Sequence, residues 1–483
     1  MRRLREWLDA QVGVMLADYF PKPLTVLDRD VSLSVVQATL DYGRTLGLAP
    51  LDAAEVLHLE DGVVTVRPQS LRLTVRAAYK LPVAIVRSTF GLRHRPLRWV
   101  GADLQTALDE ARRLLDTDLD ALSERELLTL AQKAITLRTA LFVSRRPHFL
   151  PSFALKIISE PLSRLLPGLK EAGNLSGMDY PTARFRRDLA DLALAQRQTA
   201  DGNGSDDDFN RTVARFLAAH GGRGQTFLPL VSDPVWDTAR DSLLAVLPAL
   251  AATTARPADD AEPRAKRHGP LTRRLTEIAA ERDWMAYGYE QATRVIRNSV
   301  QALGDRFARS GHLADPHDVV HLRLDEIEQI VTGGPPPREV IYQRCSAFGL
   351  LRRPSVANDP AAVLRGVGAS PGTYEGVARV VVAPEAFDTL NPGEILVCEM
   401  TSPTWLPLLM VAGAVVADRG GILSHAAIVA REFGIPAVTG TGRATTWMVS
   451  GSRYLVDGGK GTVHRLGEAT DGVVDADELP DAR

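Results

Sequence analysis

The sequence predicts a multidomain protein of the α and α/β classes, in which a mostly helical region precedes a compact β/β/α domain. Three observations lead to this prediction. Apolar residues recur with helical spacing over most of residues 100–350. Short apolar runs rich in β-branched residues replace that spacing from about residue 366 onward. A stretch that contains Pro354 and Pro360 separates the two patterns.

The composition is that of an ordinary globular protein. Of the 483 residues, 45% are hydrophobic and 24% are charged, and the length suits roughly two to four domains. The net charge of −2 gives no electrostatic reason to expect a nucleic acid or a membrane as partner. Cys345 and Cys398 lie far apart, so neither a disulfide framework nor a zinc site is indicated. No apolar run reaches the ~18 residues of a membrane span, and no signal-peptide core is present, so we expect a cytoplasmic location.

Helices account for most of the predicted elements before the break, in a region that we assign to residues 1–351. Alternating residues around an Asp61-Gly62 turn predict a small hairpin within residues 55–75. The spacing of apolar residues predicts helices over 30–46, 102–115, 124–143, 183–195, 207–219, 236–247, 271–309, 324–332 and 338–350.

The second domain is assigned to residues 366–467, with strands expected at 377–383, 395–399, 414–418, 454–457 and 461–465. Residues 352–365 are the predicted hinge linker. If extended at ~3.3 Å per residue, such a linker spans on the order of 45 Å. The acidic tail, residues 468–483, is predicted to be flexible.

One stretch of the second domain has the pattern of an anion-binding site. An apolar run over 413–417 predicts a buried strand, after which Gly420 and Gly421 allow a tight turn. Ser424 is a typical N-cap for a helix that Gly434 would end. His425 would then lie on the first helical turn, where free N–H groups and the helix dipole favour an anion. An ordinary capped helix is the alternative interpretation.

The motif Gly420-Gly421-x-x-Ser424-His425-x-Ala-Ile-x-Ala-Arg431, with 366–379 and Thr401-Ser402-Pro-Thr-Trp upstream, resembles the phosphohistidine mobile domain of PEP-utilising enzymes. The resemblance implies a swivelling domain in which His425 carries a phosphoryl group as the catalytic residue. It also implies which residues cradle that group: Gly420, Gly421, Ser424, Arg431, Thr401 and Ser402.

The helical region resembles, more loosely, the substrate-binding part of rifampin phosphotransferase-like enzymes. The resemblance rests on His220-Gly-Gly-Arg-Gly, on residues 282–297 and on residues 313–327. His220, Arg223, Arg294 and Arg297 are therefore the substrate-domain candidates. Arg223 between glycines suits a phosphoryl group, although a surface arginine after a helix end fits equally well. Arg294 and Arg297 share a helix face, which could simply be solvated.

A metal site is not expected. His317 and His321 have metal-ligand spacing on a helix, but the proline between Asp315 and His317 favours a segment that turns into a strand. The two histidines would then not face a common ion.

The resemblance implies a phosphotransferase subunit, in which a phosphoryl group passes from ATP to His425 and then to a small organic hydroxyl acceptor. Because the sequence shows no nucleotide-binding motif, ATP and Mg²⁺ are expected on a separate ATP-grasp partner, as in the split subunits of phenylphosphate synthase, and no cofactor on this chain. Two alternatives remain open. The same chemistry could drive a condensation or elimination in a biosynthetic pathway, or the phosphohistidine could belong to a non-catalytic regulatory protein.

Overall fold

The computed structural model describes residues 24–45, 52–60, 63–66, 80, 83, 98–144, 180–223, 230–232, 235–237, 240–253, 270–351, 363–382, 384–401, 403–421 and 424–468. At several of these positions, His425 among them, it describes the backbone alone. Linker residues 352–362, Ser402 and the tail after residue 468 lie outside the described residues.

The helical region, residues 24–351, is built along one long helix. Its helices are α1 (Val26–Thr45), α2 (Ala53–Val56), α3 (Arg98–Leu115), α4 (Glu124–Ser144), α5 (Pro181–Ala200), α6 (Asp206–His220), α7 (Arg240–Thr253), α8 (Pro270–Arg309), α9 (Leu324–Val331) and α10 (Arg338–Leu351). The 40-residue α8 begins with a proline, which suits a first helical position. It packs against α3 and α4. Gly304 allows a close approach, since a Cβ there would lie 2.3 Å from the Pro316 carbonyl oxygen.

Two local predictions have opposite outcomes. The antiparallel hairpin of β1 (Leu57–Glu60) and β2 (Val63–Val66) confirms the predicted hairpin. The prediction of a strand beyond Pro316 is wrong, because Pro316–His321 forms a 3-10 helix. The physical reason is its cap: the Asp315 side chain accepts a hydrogen bond from the His317 N–H at 2.8 Å, and a proline at the first position favours a helical turn.

Helix α5 packs against both α6 and α7, and the three helices form a layer. Ser205 caps α6, and its hydroxyl accepts a hydrogen bond from the Asp208 N–H at 3.1 Å. The helix predicted from residue 236 begins only at Arg240, and Trp236 precedes it as a fully buried side chain. Apolar side chains of these helices form their shared interior: Phe185, Leu189, Phe216, Leu243 and Leu247.

The sheet domain, residues 363–468, contains an eight-stranded mixed sheet in the order β3-β10-β9-β5-β6-β7-β8-β4. The strands are β3 (Val363–Arg365), β4 (Val367–Ser370), β5 (Thr373–Val380), β6 (Ile395–Cys398), β7 (Ala414–Ala417), β8 (Ala437–Thr439), β9 (Ser452–Asp457) and β10 (Thr462–Glu468). Its helices are α11 (Leu406–Val411), α12 (His425–Phe433) and α13 (Ala444–Trp447). Strand β3 lies within the segment predicted as linker, because it pairs with β10.

The centre of the sheet is parallel, from β5 through β6 and β7 to β8. Every residue of β6 and β7 is buried, as expected for parallel strands covered on both faces. Because parallel strands end at the same edge, the segments that leave β6 and β7 emerge side by side. The Arg419 N–H donates to the Glu399 carbonyl at 2.8 Å and holds these two segments together.

The sheet domain and α5–α7 share one hydrophobic core. Trp236 lies edge-on to Phe387 of the sheet domain, with ring centroids 5.7 Å apart. Phe387 in turn packs on Trp405 at 4.8 Å. All three side chains are buried, so the sheet domain is docked on the helical region through a substantial apolar contact.

Candidate active site

The loop between β7 and α12 makes a turn that requires glycine. Gly420 has φ of +124°, a backbone conformation that residues with a Cβ rarely adopt. A Cβ at this position would also lie 2.9 Å from the Ser424 hydroxyl oxygen. Gly421, by contrast, has open space where its Cβ would be. The loop therefore folds back on the start of α12, with room beside Gly421.

Helix α12 begins at His425 and has the predicted caps at both ends. The Ser424 hydroxyl accepts a hydrogen bond from the Ala427 N–H at 3.3 Å. Gly434 ends the helix in the left-handed conformation, with φ of +68°. Position 425 is therefore in the first turn, where backbone N–H groups are not used within the helix and favour an anion. The side chain of His425 lies outside the described part.

Asp418 anchors the start of this loop, and the sequence analysis did not single it out. Its carboxylate accepts hydrogen bonds from the Thr441 hydroxyl at 3.1 Å and the Thr445 N–H at 3.3 Å. The Ala444 N–H and the Thr445 hydroxyl donate to it as well. Asp418 thus ties the end of β7 to α13. A lone acidic residue at the carboxyl end of a buried strand was the available signal.

Thr401 and Arg431, which were also predicted to cradle the phosphoryl group, differ in their hydrogen bonding. Thr401, after β6, is buried, and its hydroxyl has no hydrogen-bond partner among the described residues. A buried hydroxyl without a partner is costly, and a ligand oxygen would satisfy it. Arg431 is half-buried and donates to the Ala369 carbonyl at 3.1 Å. Burial lowers the pKa of Arg431 to about 10. Its role toward a phosphoryl group stays a prediction.

In the helical region, His220 is the last residue of α6 and is buried between aromatic rings. Phe185 and Phe216 lie at centroid distances of 5.1 Å each. Its Nε2 is 2.6 Å from an Asp188 carboxylate oxygen. Burial, followed by the charge of Arg223, lowers the pKa of His220 to about 4, although Asp188 acts in the opposite direction. The ring is therefore neutral, with Nε2–H donating and Nδ1 left as an acceptor.

Arg223 lies three residues beyond the end of α6 and is almost completely buried, which contradicts the surface alternative. Its guanidinium carbon is 4.8 Å from the centre of the Phe185 ring. Its Nε is 3.7 Å from a carboxylate oxygen of Glu290 on α8. Burial raises the pKa of Glu290 to about 7, and Arg223 opposes this rise. A buried cation and a carboxylate that titrates near neutrality thus face each other.

Arg294 and Arg297, on α8, are not solvated as the alternative would require. Arg294 donates to the Ala218 and Leu217 carbonyls at 2.7 and 3.1 Å, where α6 ends and its dipole is negative. Arg297 is buried and donates to the Leu230 carbonyl at 2.6 Å. These contacts join α8 to the α5–α7 layer. Binding of a substrate by either arginine stays a prediction.

Comparison with known proteins assigns the sheet domain. Residues 390–461 match the family model described as "PEP-utilising enzyme, mobile domain". The matched segment includes residues 401–405, the glycine loop and α12. The chain carries a PEP-utilising mobile domain. We therefore call the sheet domain the mobile domain.

Several curated proteins are similar to this chain. A rifampicin phosphotransferase from a Streptomyces species is 33% identical over 227 residues, which cover 43% of this chain and 26% of that protein. A probable phosphoenolpyruvate synthase from Staphylothermus marinus is 49% identical over 104 residues, or 21% of this chain and 12% of that protein. An uncharacterized phosphotransferase from Bacillus subtilis is 34% identical over 186 residues, or 33% and 22%. The chain therefore spans about a quarter or less of these relatives.

The mobile domain contacts the helical candidates through the loop that contains Thr401. The Thr404 hydroxyl donates to the backbone carbonyl of Arg223 at 3.2 Å. Because Thr404 is buried, this contact lies inside the interface between the two parts. The structure thus places Arg223, which is a predicted substrate-domain residue, in contact with the mobile domain.

Two further findings concern the described residues only. No group of three or more His, Cys, Asp or Glu side chains among them is arranged to hold a metal ion. Of the helices in the described ranges, none has both the length and the apolar content to cross a lipid bilayer.

Proposed function

We propose that this chain is a phosphotransferase subunit in which His425 receives a phosphoryl group and passes it to a small organic hydroxyl compound. One observation carries the proposal. Position 425 opens a capped helix behind a glycine turn, within a segment that matches the PEP-utilising mobile domain. The buried hydroxyl of Thr401 has no hydrogen-bond partner within the described part of the chain, which supports a ligand oxygen at the same edge of the sheet.

The chemistry is nucleophilic catalysis in two steps. A neutral imidazole nitrogen of His425 attacks a phosphorus atom of ATP, a P–O bond of ATP breaks, and the nucleotide product leaves with that oxygen. In the second step the acceptor oxygen attacks the phosphorus, the P–N bond breaks, and the imidazole regains its lone pair. The hydroxyl proton leaves to a base or to water. The positive end of α12 favours the neutral imidazole and the anionic phosphoryl group.

The donor site belongs, in this proposal, to a separate ATP-grasp polypeptide that binds ATP and Mg²⁺. Support comes from the resemblance to enzymes in which a phosphohistidine domain serves a nucleotide-binding part. The acceptor belongs to the helical region. Support for that assignment comes from the contact between the Thr401–Trp405 loop and Arg223, a buried cation beside the docked domain.

The proposal is tested with labelled ATP, Mg²⁺ and the ATP-grasp partner. The chain should gain a phosphate that is labile in acid and stable in alkali, as expected of phosphohistidine. A chase with unlabelled ATP and a hydroxyl acceptor, rifampicin being the first probe, should move the label to a small molecule. A chain that holds an alkali-labile phosphate, or that gains none while the partner is active, would contradict the proposal.

A further inference from the structure

A buried carboxylate of the mobile domain is held by side chains of the helical region. Glu432, on α12, has a side chain that is only 2% exposed. One of its oxygens accepts a hydrogen bond from the Tyr180 hydroxyl at 2.7 Å, and the other accepts one from Arg186 Nη1 at 3.1 Å. Tyr180 immediately precedes α5 and Arg186 lies on its second turn. Tyr180 and Arg186 are buried in the domain interface, as is the side chain of Glu432.

The position of Glu432 on its helix connects this contact to the active site. Seven residues separate positions 425 and 432, which is about two turns, so both positions lie on one face of α12, roughly 10 Å apart. The helical region therefore contacts the face of α12 that includes position 425. A second contact comes from the next residue, because the guanidinium carbon of Arg186 is 5.9 Å from the centre of the Phe433 ring.

The apolar and the polar parts of the interface have different effects. Contact among Trp236, Phe387 and Trp405 favours docking, but apolar surfaces tolerate sliding and repacking. A buried carboxylate is costly unless its donors are in place. With the mobile domain docked, an arrangement that brings Tyr180 and Arg186 to Glu432 avoids that cost. The ion pair therefore selects one orientation of α12 among those that the apolar contact permits.

We propose that Tyr180 and Arg186 form a latch that seats the mobile domain on the helical region through Glu432, in the arrangement that delivers the phosphoryl group to the acceptor. The inference rests on the proposed function for the identity of the step. The three side chains are positioning residues. Loading of His425 by the donor takes place in another arrangement, with the latch open.

Distances between spin labels test the latch without any phosphoryl donor. Labels are attached at Leu194→Cys on α5 and Val449→Cys on the mobile domain, both at exposed positions. Cys345 is changed to Ser, and Cys398 is buried and is left in place. The wild-type latch should give one dominant distance. Glu432→Gln and Tyr180→Phe should each add a second, separate population.

A matched control removes an exposed ion pair from the same domain. Glu375 pairs with Arg453 at 2.9 Å, and both side chains are about half exposed. Glu375→Gln should leave the distance distribution unchanged. The double variant Tyr180→Phe, Glu432→Gln should show no larger second population than Glu432→Gln alone, because both changes open the same latch. If the two changes instead damaged the structure independently, the second population of the double variant would be the sum of those in the two single variants.

An unchanged distribution in both single variants would overturn the latch. So would a double variant whose second population is the sum of the two. Failure of the proposed function gives a different result, since His425 of the wild type would carry no acid-labile phosphate whatever the distances show. If the function holds, discharge from loaded Glu432→Gln should be slower by at least about tenfold, with loading unaffected.

Discussion

His220 should remain neutral in the folded protein, and replacing it with phenylalanine tests this directly. The ring lies among the aromatic side chains of Phe185 and Phe216, so a phenyl ring keeps the shape and the packing. It removes an imidazole whose pKa is lowered to about 4 by burial and by the charge of Arg223. Asp188, whose side chain is about half exposed, loses its partner and can be hydrated instead.

The expected magnitude follows from the two pKa values. An unfolded histidine titrates near 6.5, so on acidification the unfolded chain binds a proton that the folded His220 does not. A pKa lowered by folding stabilises the protein above the unfolded pKa, and this stabilisation is lost as the pH falls toward the folded pKa. Between pH 8 and pH 5 the wild type should lose about 2 kcal/mol from this group.

The assay is urea unfolding of the wild type and His220→Phe at pH 8 and pH 5, followed by circular dichroism of the helices. Because both proteins contain the other titrating groups, Glu290 included, the contributions of those groups cancel when the two free energies of unfolding are subtracted. The free energy of unfolding of the variant should fall about 2 kcal/mol less than that of the wild type over this range. Equal falls would refute the reasoning and would mean that His220 is protonated in the folded state.

Three further outcomes follow from the described contacts. Glu290→Gln should gain roughly 2–3 kcal/mol relative to the wild type between pH 5 and pH 8, because a carboxyl with a pKa raised to about 7 destabilises the folded state as it ionises; urea unfolding measures this. Phe387→Ala should cost about 3–5 kcal/mol and expose the domain interface to hydrogen exchange, whereas Phe307→Ala, equally buried in the helical region, should leave that interface protected. Gly420→Ala should destabilise the mobile domain by about 1–3 kcal/mol in thermal unfolding, and Gly421→Ala, with open space at its Cβ, by less than about 0.5 kcal/mol.

Local signals in the sequence account for most of the mobile domain. Ser424 and Gly434 act through their own backbone neighbours, so the bounds of α12 could be predicted to the residue. The buried runs of β6 and β7 were visible for the same reason. Strands β3, β4 and β8 were not predicted, because each is three or four residues long and depends on a partner far along the chain.

Contacts between distant residues could not be predicted. Tyr180 and Glu432 are 252 residues apart, and no local pattern marks either one as an interface residue. Trp236 was assigned to a helix because apolar neighbours follow it, whereas the structure uses it to pack on Phe387. Arg297 was compatible with a solvated face, since its spacing on α8 does not show that residues 230–231 cover it.

The candidate site divides in the same way. The motif around His425 identified the loop, the cap and the family, because these residues are contiguous. The placement of Arg223 beneath the Thr401–Trp405 loop depends on docking of the mobile domain. The sequence indicated that Arg223 and the Thr401–Trp405 loop were both candidates, but their contact is seen only in the structure.

The most direct test of the account is to locate the phosphate. The wild type, His425→Ala and His464→Ala are each incubated with the ATP-grasp partner, ATP and Mg²⁺, and the modified residue is mapped by mass spectrometry under alkaline conditions. His464, half-buried on β10 of the same domain, serves as the matched control. We expect phosphohistidine at residue 425 in the wild type and in His464→Ala, and none in a folded His425→Ala. Phosphorylation of His425→Ala to the wild-type level would contradict the central claim.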